Sequence, residues 1–108
     1  MQKLFIGKDP TIAEQVKKIL GLIKKTSPGN AVELRIPYFG AIQCVAGIDH
    51  RRGTPANLVE MRAEVLIKLA HNPSLWYKFV EKGEITASGH LSDLSQVFLD
   101  TFKQTNSE

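Results

Sequence analysis

Cysteine is scarce in this chain: Cys44 is the single one in 108 residues. One thiol cannot close an internal disulfide, which excludes a stapled small scaffold. Its place inside an apolar run makes it a small buried hydrophobe rather than a reactive thiol. Long apolar runs are also missing. The longest, AIQCVAGI from Ala41 to Ile48, contains Gln43 and falls well short of the roughly 18–20 residues that span a bilayer. The opening MQKLFIGKDP has three apolar residues in a row, without the h-region and small-residue cleavage site of a secretory signal. A cytoplasmic location without a transmembrane segment is therefore expected. Histidine is sparse and dispersed, at His50, His71 and His90, and with one cysteine it makes no zinc spacing. A phosphate-binding P-loop is absent, because five residues separate Gly47 from Gly53 and no lysine precedes Thr54. No metal and no cofactor are expected.

Charge of one sign is weak as well. The net charge is +3, and charged residues make up 23% of the chain. Lys17, Lys18, Lys24 and Lys25 fall on one helix and Arg51 and Arg52 in a distant loop, a mild bias rather than a nucleic-acid footprint. Nucleic-acid binding also needs exposed aromatics interleaved with the basic residues. The phenylalanines and tyrosines fall mostly on apolar faces or beside Pro37, so no nucleic-acid partner is expected. What the chain does have is an ordinary apolar content of 43% and the length of one domain with one core.

The apolar residues are periodic. Asp9-Pro10 suits a helix start, and Ile12, Val16, Ile19, Leu20 and Ile23 then follow at helical spacing, with lysines on the other face. Ser27-Pro28-Gly29-Asn30 stops that helix. Val32, Leu34 and Ile36 alternate with polar neighbours, a half-buried strand that Pro37 interrupts. A second strand is expected over 40–46 and a third over 57–61. Val65, Leu66, Leu69 and Ala70 form a helical stripe ending at Asn72-Pro73. Ser74 is positioned to cap a short helix carrying Leu75, Trp76, Phe79 and Val80, with Gly83 as its stop. Residues 84–89 are expected to form a last strand, and Ser92 is positioned to cap a final helix with Leu94, Val97, Phe98 and Phe102 on one side. The tail over 104–108 is expected to fray. Strands and helices are partly segregated, which makes the fold α+β, with helices covering a sheet, in one domain over 1–108.

The polar loop Asp49-His50-Arg51-Arg52-Gly53-Thr54-Pro55 lies between two strands, where binding chemistry tends to sit. Two readings remain open for it. Arg51 and Arg52 can grip a phosphate or carboxylate, with Thr54 and the Gly53 amide as further donors. Alternatively the loop is a surface turn in which Arg52 pairs with Asp49 or Glu60. Neighbouring Asp49 and His50 do not orient one another as a catalytic dyad does, so no catalysis is expected. His71 near a helix C-terminus suits a cation facing the helix dipole.

Two blocks resemble the sterol carrier protein family, in its small stand-alone bacterial branch. One is RIPYFGAIQCVAG followed by HRRGTPANLVE; the other runs from Val65 through LWYKFVEKGEITASGHLSDLSQVF. Together they cover just over half of the chain. Arg51 and Met61-Arg62 depart from the branch's pattern, which bears on the loop more than on the fold. The resemblance implies a single mixed sheet of about five strands covered by helices. The fifth strand would come from 1–6, within an edge segment over 1–8, or from a split at Pro37-Tyr38-Phe39. It also implies an apolar cavity that binds or carries a lipid or other apolar or amphipathic small molecule, without chemistry or cofactor. Leu34, Ile36, Ile42, Cys44, Trp76, Phe79, Val97, Phe98 and Phe102 are the candidates to line it, with His50, Arg52, Thr54, Asn57 and Glu60 as its polar rim. The competing expectation is that the same apolar residues simply pack together. The domain is then a structural module that docks a protein partner, an enzyme or a second copy through the Arg51–Thr54 loop.

Overall fold

The computed structural model describes residues 10–47 and 57–106. Helix α1 covers Ile12–Thr26 and buries Val16, Ile19, Leu20 and Ile23, four of the five residues of the expected stripe, while Ile12 in its first turn is exposed. Its start differs from expectation by two residues. Thr11, rather than Asp9, is the cap: the Glu14 amide donates to its Oγ1 at 3.1 Å, and the Thr11 amide donates to the Glu14 carboxylate at 2.8 Å. This reciprocal box satisfies two amides at once, and Asp9 lies outside the described residues.

Strands β1 (Val32–Ile36), β2 (Gly40–Cys44), β3 (Asn57–Met61) and β4 (Ile85–Ser88) form a mixed sheet in the order β2-β1-β3-β4. β1 runs antiparallel to β2 and parallel to β3, and β4 returns antiparallel to β3. The α+β class holds, with four strands among the described residues in place of the expected five. Pro37–Phe39 supplies none, because it is the turn of the β1–β2 hairpin: the Phe39 amide donates to the Ile36 carbonyl at 2.9 Å. The other expected source, residues 1–6, lies outside the described residues.

The period of two sorts the sheet residues. Val32, Leu34, Ile36, Val59 and Met61 are buried on one face, while Glu33, Arg35, Leu58 and Glu60 on the other are partly or largely exposed. One face is thus core and the other is open, as in an antiparallel or mixed sheet covered on one side. Arg35 organises the open face, pairing with Glu33 at 2.8 Å and with Glu60 at 3.6 Å.

β2 ends at Cys44, two residues short of expectation, because Val45 turns the chain through a left-handed φ of 67°. The Val45 amide donates to the Ser27 carbonyl at 2.8 Å, and the Ala31 amide donates to the Val45 carbonyl at 2.9 Å. That lashes the end of β2 to the linker between α1 and β1. The approach is so close that a Cβ on Gly29 would lie 2.1 Å from the Val45 oxygen.

Helix α2 covers Ala63–His71, a 3-10 turn over Pro73–Leu75 follows, and α3 covers Trp76–Glu81. Asn72, not Ser74, caps this stretch, since the amide and hydroxyl of Ser74 both donate to Asn72 Oδ1, at 3.3 and 2.6 Å. Helix α4 covers Ser95–Asn106, so residues 104–106 are helical rather than frayed. Its expected cap, Ser92, is buried and donates instead to the Gly89 carbonyl at 2.6 Å. Asp93 takes the capping role, accepting the Ser95 amide at 2.9 Å, where a carboxylate also suits the helix dipole.

Candidate functional site

The core lies between the closed sheet face and the four helices. Eight of the nine apolar candidates belong to it or pack against it. Leu34, Ile36, Cys44, Trp76, Phe79 and Phe98 are buried, and Ile42 and Val97 pack at its margin. Phe102 on α4 is half-buried and lies outside that core cluster. β1 and β2 bring Leu34 opposite Ile42. Trp76 on α3 meets Phe98 on α4 with ring centroids 6.1 Å apart and planes at 33°, a tilted aromatic contact. Burial pushes the Cys44 thiol up to about 11, so it stays protonated and inert.

The polar candidates separate. Asn57 and Glu60 belong to opposite sheet faces, since three positions along a strand reverse the side-chain direction. Asn57 is fully buried: its Nδ2 donates to the Ala31 carbonyl and its Oδ1 accepts the Leu91 amide, both at 2.9 Å. Its amide therefore joins the start of β1 to the turn before α4, two segments that would otherwise carry unpaired buried backbone groups. Glu60 is on the open face with Arg35. His50, Arg52 and Thr54 lie outside the described residues, as does the rest of the Asp49–Pro55 loop.

Among the described residues, two hollows open on the surface. One, of about 560 Å³, follows the outer side of α1 and is lined by Glu14, Lys17, Lys18, Gly21, Leu22 and Lys25. The second, of about 390 Å³, lies where the α1–β1 linker meets β2. Ile42 alone of the nine candidates borders either hollow.

Sequence spacing gave no signal for two polar contacts. Thr26 and Thr101 bring their hydroxyls to 3.1 Å between α1 and α4. Tyr77 donates to Asp93 Oδ2 at 2.9 Å. Burial raises the Asp93 pKa, but hydrogen bonds from Ser95 and Tyr77 outweigh it and hold the carboxyl below its ordinary value. His71 also departs from expectation. It ends α2 as the dipole argument requires, yet its Nε2 is closed off without a hydrogen-bond partner among the described residues. Burial lowers its pKa, so desolvation outweighs the dipole and favours the neutral ring.

The family model described as bacterial SCP ortholog matches residues 8–99. The chain belongs to this sterol-carrier-like family. No curated protein matches it. The mixed sheet with a helix-covered apolar face is the sterol-carrier-like frame expected from the two sequence blocks. No described helix is long and apolar enough to cross a membrane, and no metal-holding cluster of His, Cys, Asp or Glu occurs among the described residues.

Proposed function

We propose that this sterol-carrier-like chain is a non-catalytic, cytoplasmic carrier that holds a lipid or other apolar or amphipathic small molecule between its sheet and its helices. The single observation that carries this is the family match over residues 8–99. Support for it comes from eight of the nine apolar candidates, which belong to one core layer or pack against it. Each methylene taken from water into that layer gains about 0.8 kcal/mol. Leu34, Ile36, Cys44 and Phe98 are already fully buried, so cargo exchanges contacts with these side chains. The short α3 and its preceding turn are the natural place for the layer to part. Six helical residues are too few to be stable alone, and α3 is held through Trp76 and Phe79. His50, Arg52 and Thr54 supply the polar rim, with Arg52 gripping an anionic headgroup.

The near-zero exposure of Leu34, Ile36, Cys44 and Phe98 favours a second reading, a packed module that docks a protein partner or second copy through Arg51–Thr54. Titration with a fluorescent fatty acid separates the two. The carrier binds it at micromolar concentration, with displacement by unlabelled lipid and a change in Trp76 emission. Absence of binding across fatty acids, phospholipids and sterols contradicts the carrier. Arg52→Ala is expected to weaken anionic ligands more than neutral ones, and equal losses remove Arg52 from the rim.

A further inference from the structure

The β1–β2 hairpin tip has two features that no contact among the described residues explains. Tyr38 occupies a left-handed φ of 71° at the third position of the turn closed by Phe39 and Ile36. Turns with positive φ there favour Gly or Asn, with Pro before it, and Pro37 is indeed in place. A tyrosine at that position strains the backbone, yet its side chain is fully exposed at 104%, and Phe39 beside it is 44% exposed. The strain is not offset by packing. Pro37 and Gly40 flank the pair without charge. The nearest charge on β1, Arg35, is already engaged with Glu33 and Glu60.

We propose that Pro37-Tyr38-Phe39 is a docking prong that inserts into the interfacial layer of a lipid bilayer. Two rings offer roughly 150–250 Å² each, well below the roughly 800 Å² per partner of a stable protein interface. A bilayer imposes no such minimum. Tyrosine combines an apolar body with a polar tip, the chemistry that settles at the headgroup level. Exposed Lys24 on α1 shares a hollow with Ala41, Ile42 and Gln43 of β2, and with the net charge of +3 this positive charge beside the strand that leaves the tip complements an anionic surface. The association is weak and reversible, because two rings are a small anchor. It does not depend on bound cargo.

The test is co-flotation of the full chain with vesicles of phosphatidylcholine, alone and mixed with phosphatidylglycerol. The parent chain binds both, more strongly with phosphatidylglycerol. Tyr38→Gly and Phe39→Ser each reduce binding to both vesicles, and the double variant loses about tenfold or more. Tyr38→Gly meanwhile keeps or raises the thermal midpoint, because it releases strain. Four results overturn the proposal: no binding by the parent chain, equal binding by the double variant, binding confined to phosphatidylglycerol and insensitive to both substitutions, or a lower midpoint for Tyr38→Gly. A dimer that needs Tyr38, without vesicle binding, also overturns it and makes a second copy the occupant.

Discussion

The two ends of β2 carry the same backbone anomaly and resolve it differently. Tyr38 enters the strand and Val45 leaves it, both with left-handed φ near 70°, a region where a Cβ costs about 1–2 kcal/mol. At Val45 the cost is offset within the molecule. Its amide and carbonyl are both bonded to the α1–β1 linker, and its side chain packs against the core. At Tyr38 the turn hydrogen bond is kept, but the side chain gains nothing from the fold. Strain at one end holds the layers together, whereas strain at the other presents a ring to the outside. Backbone outliers thus separate by whether the fold or only solvent meets their side chains.

Substitutions at the two ends should diverge, most of all at Gly29. Gly29→Ala drives a Cβ into the Val45 carbonyl at a position that also has φ of 145°, and is expected to lower stability by about 2–4 kcal/mol in urea unfolding. A loss under about 1 kcal/mol would show that the linker moves aside easily. Tyr38→Gly should stabilise by up to about 1 kcal/mol, since relief of the left-handed strain exceeds the entropy cost of glycine. A clear destabilisation would place both ends of β2 in the same structural class.

His71 provides a smaller contrast, a chemical cost rather than a conformational one. Its folded pKa lies below the ordinary 6.5 because burial disfavours the charged ring. The neutral state is therefore favoured on folding, and the associated stability is fully present above pH 6.5. It is lost as pH falls through the depressed folded value. Stability measured down this acid limb should decline, and His71→Gln should flatten the decline. An unchanged slope would mean that the ring is solvated in the native state.

Much of the frame was legible in the sequence because periodicity reports burial directly. Val32, Leu34 and Ile36 define β1, residues 57–61 define β3 to the residue, and the α1 stripe is the buried one apart from the exposed Ile12. Caps were harder. Thr11, Asn72 and Asp93 hold roles expected of Asp9, Ser74 and Ser92, because neighbouring polar residues compete for the same amides and only geometry decides among them. Asn57 was legible as a polar residue beside the layer, but not as a clip, since its partners Ala31 and Leu91 are distant in sequence. The apolar candidates were legible as a set through their faces. Spacing could not say whether they close on one another or on cargo.

Native mass spectrometry of freshly purified protein tests the carrier account most directly. The account predicts a co-purified apolar or amphipathic molecule, released when the chain is denatured and replaced when it is refolded with added lipid. Protein at the bare chain mass in every preparation, with no adduct after incubation with fatty acids, phospholipids or sterols, would contradict it.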